Sequence, residues 1–406
     1  MNDRLIRALF FSVFSILTGL IVGFIDVFFS KGLTLVSNWR VEYFDKLIVF
    51  LPFIGVLMIF LYKKYGKGSL KGMGYVFEAA HMENVIIPKR LIPFSIVSTW
   101  ATHLFGGSAG REGVAVQIGA TVANTITIYI ERKIKLNIND LKKILISTGI
   151  SAGFSGLFGT PFAATIFSLE ILNMGVVEYK ALFPAFLAAY TAFGVSEYFN
   201  MKHFHFLIKE FPKNNFRDIT MFLMAGFIFA LVGYCFAFFL KKFKKNKYVL
   251  DLDPIKKIFF GGIILAFLLW LADKGRYSGL GINLINIAFS NEQLYSYDWL
   301  LKMLFTVFTL GIGFQGGEVT PIFAIGASLG GILGSWFGIP VEFLAAIGYC
   351  AVFASSTNTF LASFLIGIEI FGYNMAGYLF IACAMAYLFS GELSIYEGQK
   401  KGHLKI

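Results

Sequence analysis

The stretch TGISAGFSGLFGTPFAATIFSLEI, residues 148–171, recurs in altered form as IGYCAVFASSTNTFLASFLIGIEI at residues 347–370. At a constant offset of 199 positions, the identical pairs are Gly149/Gly348, Ala152/Ala351, Phe154/Phe353, Thr160/Thr359, Ala163/Ala362, Glu170/Glu369 and Ile171/Ile370. A second pair, GREGVAVQIGA at 110–120 and GEVTPIFAIGA at 317–327, precedes the first pair in both halves. Two matches in the same order predict two structural repeats. Identity alone does not decide whether the repeats are parallel or inverted.

A polar segment separates the two repeats. We predict the seam at residues 209–217, between a first half-repeat, 1–208, and a second half-repeat, 218–406, of one transmembrane domain. Paired halves with helices interrupted at matching positions indicate a binding site near the interface of the repeats.

The composition is that of an integral membrane protein. Of 406 residues, 57% are hydrophobic and 15% are charged, and the mean hydropathy is +0.72. A soluble domain of this length needs more polar surface. The net charge of +11 comes from short Lys and Arg clusters between apolar runs, such as Lys63-Lys64 and Lys241 to Lys247. Such clusters are typical of cytoplasmic loops beside anionic lipid, so we expect a multi-pass protein of the plasma membrane that contacts lipid and binds no nucleic acid.

Several long apolar runs could each cross a bilayer, which needs roughly 20 residues. They lie near 5–29, 47–62, 219–240, 257–272 and 299–312. The first has no signal-peptide cleavage site, so we expect it to be retained as a helix. The other apolar stretches are short or are bounded by Gly, Pro or Ser, and broken backbone is tolerated in membranes only inside protein or along a wet cavity. The pattern predicts a transporter or channel whose helices end within the membrane.

The segment GGSAGREG, residues 106–113, has the features of an anion site. Its small residues precede a helical run predicted to begin near Val114, and a helix N-terminus presents free N–H groups to an anion. The counterpart GGEVTP at 316–321 has Pro321 at a position suited to the first helical turn. Two such helix starts, one from each repeat, would hold an anion without a full positive charge and therefore weakly enough for release.

Glu112 is a carboxylate at the place where an anion should bind. It must either occupy the site itself or be protonated when the anion enters. Ionisable residues buried in a membrane are costly and mark functional positions, so we interpret Glu112 as a protonatable gate that couples anion movement to protons. The alternative is a structural salt bridge with Arg111, which is disfavoured because neighbours on a helix point in different directions.

These segments resemble the CLC family of chloride channels and anion/proton antiporters, over about residues 60–400. KGMGYVFEA at 71–79 stands where that family has GSGIP, and SAGREGVAVQIGA at 108–120 matches its GREGP helix start. GGEVTPIFA at 316–324 matches its GxFxP, and residues 150–171 resemble its A-x-F-N-x-P-x-x-G helix. Ser394-Ile395-Tyr396 matches the late segment with the tyrosine that coordinates the central anion.

The departures from the family pattern resemble the pattern of its fluoride/proton antiporter branch. The serine of GSGIP is Met73 here, and the prolines of GSGIP and GREGP are Val76 and Val114. Methionine has no hydrogen-bond donor, so side-chain coordination of chloride is missing on that flank. The second glutamate of the family's inner proton relay falls on Ile171. If protons are exchanged, Glu112 must therefore carry most of the relay.

The motifs and the resemblance together define a predicted site. Glu112 is the proton-coupled gate, and Glu318 is a candidate proton helper whose alternative role is a solvated carboxylate in a vestibule. The predicted anion-binding residues are Met73, Gly110, Gly113, Val114, Val319, Thr320 and Tyr396. Further candidates for the pathway are Asn358, which could equally be structural, and Phe77, Phe154, Phe158 and Phe314.

The resemblance implies an all-α, CLC-like membrane fold of about 17 or 18 helices in two inverted repeats, and a homodimer with one pathway per subunit. We expect a fluoride/proton antiporter whose transported partners are fluoride and protons, with no cofactor, no metal and no enzymatic activity. No long polar tail follows the last apolar run, so we expect no soluble regulatory domain. A chloride-selective channel or chloride/proton exchanger is the first alternative. The second is an intramembrane enzyme, but its one candidate, His103, lacks a nucleophile at helical spacing.

Overall fold

The computed structural model describes residues 3–82, 85–134, 141–213, 215–246, 251–290 and 292–402. As predicted, its secondary structure is almost entirely helical. The helices before the predicted linker are α1 (Asp3–Glu42), α2 (Phe44–Leu47), α3 (Leu51–Tyr65), α4 (Met73–His81), α5 (Leu91–Leu104), α6 (Glu112–Ile134), α7 (Lys142–Phe158), α8 (Pro161–Glu170) and α9 (Leu182–Tyr198). Those after it are α10 (Phe216–Lys245), α11 (Pro254–Leu271), α12 (Ile282–Ala288), α13 (Asp298–Ile312), α14 (Val319–Phe337), α15 (Val341–Thr357), α16 (Phe360–Phe371) and α17 (Ala376–Phe389). Two short strands, β1 (Asn173–Met174) and β2 (Lys400–Lys401), pair in parallel.

The two halves are inverted relative to each other at α8 and α16. Glu170, the last residue of α8, accepts hydrogen bonds from the N–H groups of Leu361 (3.1 Å) and Ala362 (2.8 Å) in the first turn of α16. Glu369, near the end of α16, accepts from the first turn of α8 in the same way. Each helix end therefore meets the other helix's beginning, where a carboxylate is favoured by free N–H groups and the helix dipole. The repeats are inverted, as the resemblance implies.

Glycines shared by the two halves are the closest crossing points between neighbouring helices. A Cβ added to Gly149 of α7 would overlap the carbonyl oxygen of Gly119 of α6, and the reverse also holds. Gly348 of α15 and Gly326 of α14 form the equivalent pair in the second half. Small residues let membrane helices approach closely. All four positions are among the glycines that the two sequence matches have in common.

The lengths of α6, α13 and α14 differ from the sequence prediction. The run 299–312 was predicted as a span, but α13 has 15 residues, about 22 Å of helix, which is shorter than a hydrocarbon core of about 30 Å. Conversely, α6 and α14 lie in stretches predicted to be short or broken, yet they are long and apolar enough to cross a membrane. Both are buried within the protein rather than facing lipid, because 72% and 89% of their apolar windows are buried.

The segment around the predicted seam connects α9 with α10. The structure describes residues 199–213 of this connection as non-helical, and α10 begins at Phe216. Asn215 caps α10 by accepting from the N–H of Asp218 at 2.8 Å. The division of the chain at 209–217 stays a prediction.

Candidate anion and proton site

The two glycine-rich loops predicted to form the site lie against each other. Gly110 and Gly317 exchange backbone hydrogen bonds, with the N–H of Gly110 2.5 Å from the Gly317 oxygen and the N–H of Gly317 2.8 Å from the Gly110 oxygen. A Cβ at Gly110 would lie 2.8 Å from Cδ of Pro321, so no larger residue fits there. This pairing brings the N-terminus of α6 to the N-terminus of α14.

The carboxylate of Glu112 lies at the start of α14. Thr320, in the first turn of α14, donates to Oε2 of Glu112 both through its hydroxyl and through its backbone N–H, the latter at 3.1 Å. Glu112 and Thr320 are fully buried. An N–H at a helix start has no partner within its own helix. The Glu112 carboxylate thus occupies a position that offers an anion two hydrogen-bond donors and the positive end of a helix dipole.

Arg111 contacts the same carboxylate, contrary to the sequence-based argument. Its Nε lies 3.4 Å from Oε1 of Glu112, and its backbone N–H points to Oε2 at 3.4 Å. Arg111 and Glu112 are not neighbours within one helix, because α6 begins at Glu112 and Arg111 belongs to the preceding loop. The salt bridge that was considered as an alternative exists alongside the contact with Thr320, so Glu112 has partners on both sides.

A buried lysine holds the loop before Glu112 in place, and no sequence motif indicates it. Lys302 of α13 is fully buried. Its ammonium donates to Oγ of Ser108 (2.9 Å) and to the carbonyl oxygens of Gly279 (2.7 Å) and Tyr277 (3.1 Å). Three oxygens satisfy the three donors of an ammonium group, and a buried charge needs such partners. Lys302 therefore ties the glycine-rich loop to the second half of the chain.

A cavity of about 600 Å³, lined by three lysines and three glutamates among other residues, opens beside the site. Lys71, Lys244 and Lys257 lie around it, as do the predicted residues Met73, Glu318 and Tyr396 and two of the predicted aromatic residues, Phe77 and Phe314. Basic residues mark the cytoplasmic side of membrane proteins. If the Lys and Arg clusters face the cytoplasm, as the sequence predicts, this cavity is an inner vestibule that leads from the cytoplasmic face towards the helix starts.

Glu318 has features of both roles considered for it. It lines the vestibule, and its Oε1 lies 3.4 Å from Nζ of Lys244. Its side chain is only 14% exposed, and a Cβ at Gly113 would lie 3.6 Å from its Oε2. Glu318 is therefore an ion-paired carboxylate at the inner edge of the site rather than a freely solvated group.

The remaining predicted residues do not line the cavity. Val114 and Val319 are buried in the first turns of α6 and α14, next to the gate rather than on the vestibule wall. Phe154 and Phe158 pack against each other with ring centroids 5.1 Å apart, inside the core. Asn358 ends α15 in the left-handed conformation, and its Nδ2 donates to the carbonyl oxygen of Leu393. Asn358 therefore makes a structural contact at the end of α15, and a part in the pathway stays a prediction.

Further residues near Glu112 could not be found from sequence motifs. Ser30 of α1 accepts from Nη1 of Arg111 at 3.2 Å, and Asp26 lies one turn before it on the same helix. Tyr349 of α15 stacks on Phe323 with ring centroids 4.1 Å apart, and its hydroxyl has no hydrogen-bond partner in the described part of the chain. No spacing in the sequence relates α1 or α15 to residue 112, so only the folded chain reveals these neighbours.

Comparison with known proteins assigns the family. Residues 54–391 match the family described as "Voltage gated chloride channel". A "Chloride/fluoride channel protein" of Pseudomonas syringae pv. tomato is 37% identical over 396 residues, which cover 96% of this chain and 86% of that protein. The crystal structure of a CLC-type fluoride/proton antiporter has 43% identity and a TM-score of 0.94, covering 99% of this chain and 100% of that one. A slow cyanobacterial Cl−/H+ antiporter, 20% identical with a TM-score of 0.79 over 94% of both chains, shares the fold. The chain is a multi-pass membrane protein and belongs to the voltage-gated chloride channel (CLC) family, whose members are channels and transporters and not enzymes.

Proposed function

We propose that this protein is a fluoride/proton antiporter that exports fluoride from the cytoplasm in exchange for protons. The observation that carries the proposal is the carboxylate of Glu112, which occupies the anion position at Thr320. An anion can take that position only when the carboxylate leaves it. Protonation removes the charge of Glu112 and weakens its charge-assisted hydrogen bonds, so the arrival of a proton and the arrival of an anion are coupled at one place.

The anion path runs from the inner vestibule to the gate. Fluoride would enter past Met73 and Tyr396, which line the vestibule, and would then bind at the helix starts near Gly110, Gly113, Val114 and Val319. The Thr320 hydroxyl and N–H would donate to it in place of Glu112. Glu318, paired with Lys244 at 3.4 Å, would hold or release a proton at the inner edge of the site.

Fluoride is favoured over chloride for two reasons. Met73 presents a thioether with no donor where a hydroxyl would coordinate chloride from the vestibule side. In addition, the relative with 43% identity over the whole chain is described as a fluoride/proton antiporter, and the relative with 37% identity as a chloride/fluoride channel protein. The second description keeps a chloride-conducting protein as the alternative function.

The exchange suits fluoride export energetically. For one anion leaving and one proton entering, two charges move in the same electrical sense, and each is driven by about 2.3 kcal/mol per 100 mV of inside-negative potential. Together they supply about 4.6 kcal/mol, which corresponds to over three decades of concentration gradient at about 1.36 kcal/mol per decade. A passive anion channel would use half of this driving force.

Paired flux measurements test the proposal. The purified protein is reconstituted in liposomes under an imposed membrane potential, and fluoride efflux and proton uptake are recorded together. We expect fluoride efflux with simultaneous proton uptake in the wild type, and loss of proton uptake in Glu112→Gln, which keeps the shape of the side chain but cannot ionise. Fluoride flux without proton uptake in the wild type would contradict antiport, and normal proton uptake in Glu112→Gln would remove Glu112 from the mechanism.

The same assay separates fluoride from chloride. Chloride efflux as fast as fluoride efflux in the wild type would favour the chloride channel or exchanger. Met73→Ser supplies a hydroxyl donor at the vestibule, so we expect it to raise the chloride flux relative to fluoride. Met73→Leu is the matched control, because it changes the side chain without adding a donor.

We also propose a homodimer, as the family resemblance implies. Both repeats and all predicted site residues are in one chain, which supports one independent pathway per subunit. Light scattering of the protein in detergent, corrected for the bound detergent, should give twice the chain mass of 45.2 kDa. A mass of one chain at concentrations where transport is full would contradict the dimer.

A further inference from the structure

Asp26 is a buried carboxyl group without a hydrogen-bond partner. It lies in the middle of α1 with 0% of its surface exposed, and neither of its oxygens has a partner among the residues that the structure describes. Its Oδ2 faces Gly156 of α7, where an added Cβ would come within 2.6 Å. An ionised carboxylate without partners is very costly in an apolar interior. A carboxyl group inside a membrane protein also marks a functional position by default.

Arg111 connects this carboxyl group with the gate. Its Nη1 donates at 3.2 Å to Ser30, one helical turn from Asp26 on α1, and its Nε lies 3.4 Å from Glu112. Asp26 is close enough to lie in the electrostatic field of the guanidinium. Arg111 is thus a buried cation between two carboxyl groups, of which Glu112 is ion-paired and Asp26 is not.

The buried charge of Arg111 creates a difficulty when the gate opens. If Glu112 takes up a proton and leaves Thr320, Arg111 loses its counter-charge, and a buried charge without a partner is strongly destabilising. Asp26 is a carboxyl group placed to replace the missing charge. Ionisation of Asp26 would restore the balance without any movement of Arg111.

We propose that Asp26 is a second proton-carrying residue of the exchange cycle, which shares one proton with Glu112 across the Arg111 guanidinium. This inference rests on the proposed antiport. In the step that opens the gate, the O–H bond of the Asp26 acid breaks and an O–H bond forms on Glu112. The proton crosses through a hydroxyl group or water that is neither consumed nor formed. One carboxylate faces Arg111 before and after the step. Once Glu112 has released its proton to the inner side and is ionised again, a proton from the outer solution restores the Asp26 acid.

The other titratable groups around Asp26 lie on the elements packed against α1. His203, in the segment after α9, packs against Gly159, one turn beyond Gly156 on α7. Its Nε2 lies 3.5 Å from Oε1 of Glu197, whose side chain is 54% exposed. On α5, the ring nitrogens of His103 contact the carbonyl oxygens of Thr99 and Ala109, in the field of Arg40. The charged residues of α7 are Lys142 and Lys143 at its opposite end. Glu197 and His203 therefore provide the titratable groups between Asp26 and the outer solution.

Replacement of Asp26 tests the proposal in the paired flux assay. In Asp26→Asn the group keeps its size but cannot carry a proton, so we expect proton uptake to fall about 100-fold, the lower end of the usual contribution of a positioned acid or base. The dependence of turnover on external pH should flatten at the same time. Asp26→Glu should recover coupled transport. Asp273→Asn is the matched control, because this carboxylate belongs to a short 3-10 helix after α11 and its side chain is 60% exposed.

The pH profile distinguishes a proton carrier from a residue that merely positions Arg111. A positioning role would lower fluoride and proton flux together and would leave their ratio and the pH profile unchanged. Either that result or wild-type behaviour of Asp26→Asn would overturn the proposal. If the wild type itself shows no coupled flux, the proposed function fails instead, so the two failures are distinguishable.

A measurement on the wild type keeps the proposal testable if Asp26→Asn does not fold. Infrared difference spectra, recorded on protein with isotope-labelled aspartate, report the C=O band of protonated aspartic acid on addition of fluoride. The other buried aspartates of the described chain are Asp218 and Asp298, which accept hydrogen bonds from the N–H of Lys213 and from Arg276. We expect a labelled band that changes when fluoride binds. A spectrum without any aspartic acid signal would overturn the proposal.

Discussion

The backbone N–H and the hydroxyl of Thr320 both donate to one carboxylate oxygen of Glu112, although the two residues are 208 positions apart in the chain. Glu112 begins α6 in the first repeat, and Thr320 lies in the first turn of α14 in the second. The proposed gate in one half therefore contacts the proposed anion-binding helix start of the other half. Any anion that uses these donors must compete with Glu112.

Replacing Thr320 by valine tests whether its hydroxyl serves the transported anion. Valine has nearly the same shape but no donor, and a hydrogen bond to a charged group contributes about 1.5–3 kcal/mol. At 1.4 kcal/mol per tenfold change, we expect fluoride turnover in liposomes to fall at least about tenfold. Thr320→Ser keeps the donor and should stay near the wild-type rate. Equal turnover rates for the valine and serine variants would mean that the hydroxyl of residue 320 does not donate to the transported anion.

The glycine crossings predict a sharp difference between two alanine substitutions. In Gly149→Ala the new Cβ would overlap the carbonyl oxygen of Gly119, and overpacking of a close-packed interior costs about 1–3 kcal/mol. We expect a lower melting temperature in detergent. The melting temperature is measured from the protein that remains monodisperse in size-exclusion chromatography after heating. Gly194→Ala in α9 is the control: a Cβ there meets nothing within 4 Å, and alanine favours helix by up to about 1 kcal/mol. Equal melting temperatures for the two variants would contradict the close crossing.

The repeat could be predicted because the residues that are identical in the two halves include those that make the helix contacts. Gly149 and Gly348 are fixed by backbone contact, and Glu170 and Glu369 by the helix starts that they cap. Such constraints act on single residues, so they appear directly in the sequence. The inverted arrangement came only from the resemblance, since identical residues carry no direction.

The surroundings of the gate could not be predicted in the same way. Arg111 reaches Glu112 from the loop before α6, a helix that begins at Glu112, two residues earlier than the sequence suggested. Ser30 and Asp26 approach Arg111 from α1, which lies before both sequence matches. Lys302 lies in the apolar run 299–312, which was predicted to cross the bilayer. In each case the partner is chosen by packing between helices and not by spacing along the chain.

The reciprocal carboxylates at α8 and α16 predict matched losses of stability. Glu369 accepts from the N–H groups of Phe162 (3.1 Å) and Ala163 (2.7 Å). Glutamine has one acceptor oxygen and no charge, so Glu369→Gln turns an NH2 group towards an N–H donor and should cost about 1–3 kcal/mol. We expect a similar fall in melting temperature for Glu170→Gln. Glu210→Gln, at an exposed position, should melt like the wild type, and a wild-type melting temperature for both capping variants would contradict this role.

His203 predicts how stability changes with pH. It lies in the non-helical segment after α9, and burial, with a further contribution from the charge of Arg111, lowers its pKa from 6.5 to about 4. Between these values the unfolded chain binds a proton that the folded chain does not, so stability falls as the pH decreases through this window. The loss is at most about 1.36 kcal/mol per pH unit. His203→Gln should remove this part of the acid destabilisation in melting curves from pH 7 to pH 4.5. His205→Gln, an exposed neighbour in the same segment, should keep most of it, and an unchanged slope in His203→Gln would mean that His203 is protonated equally easily in the folded and unfolded states.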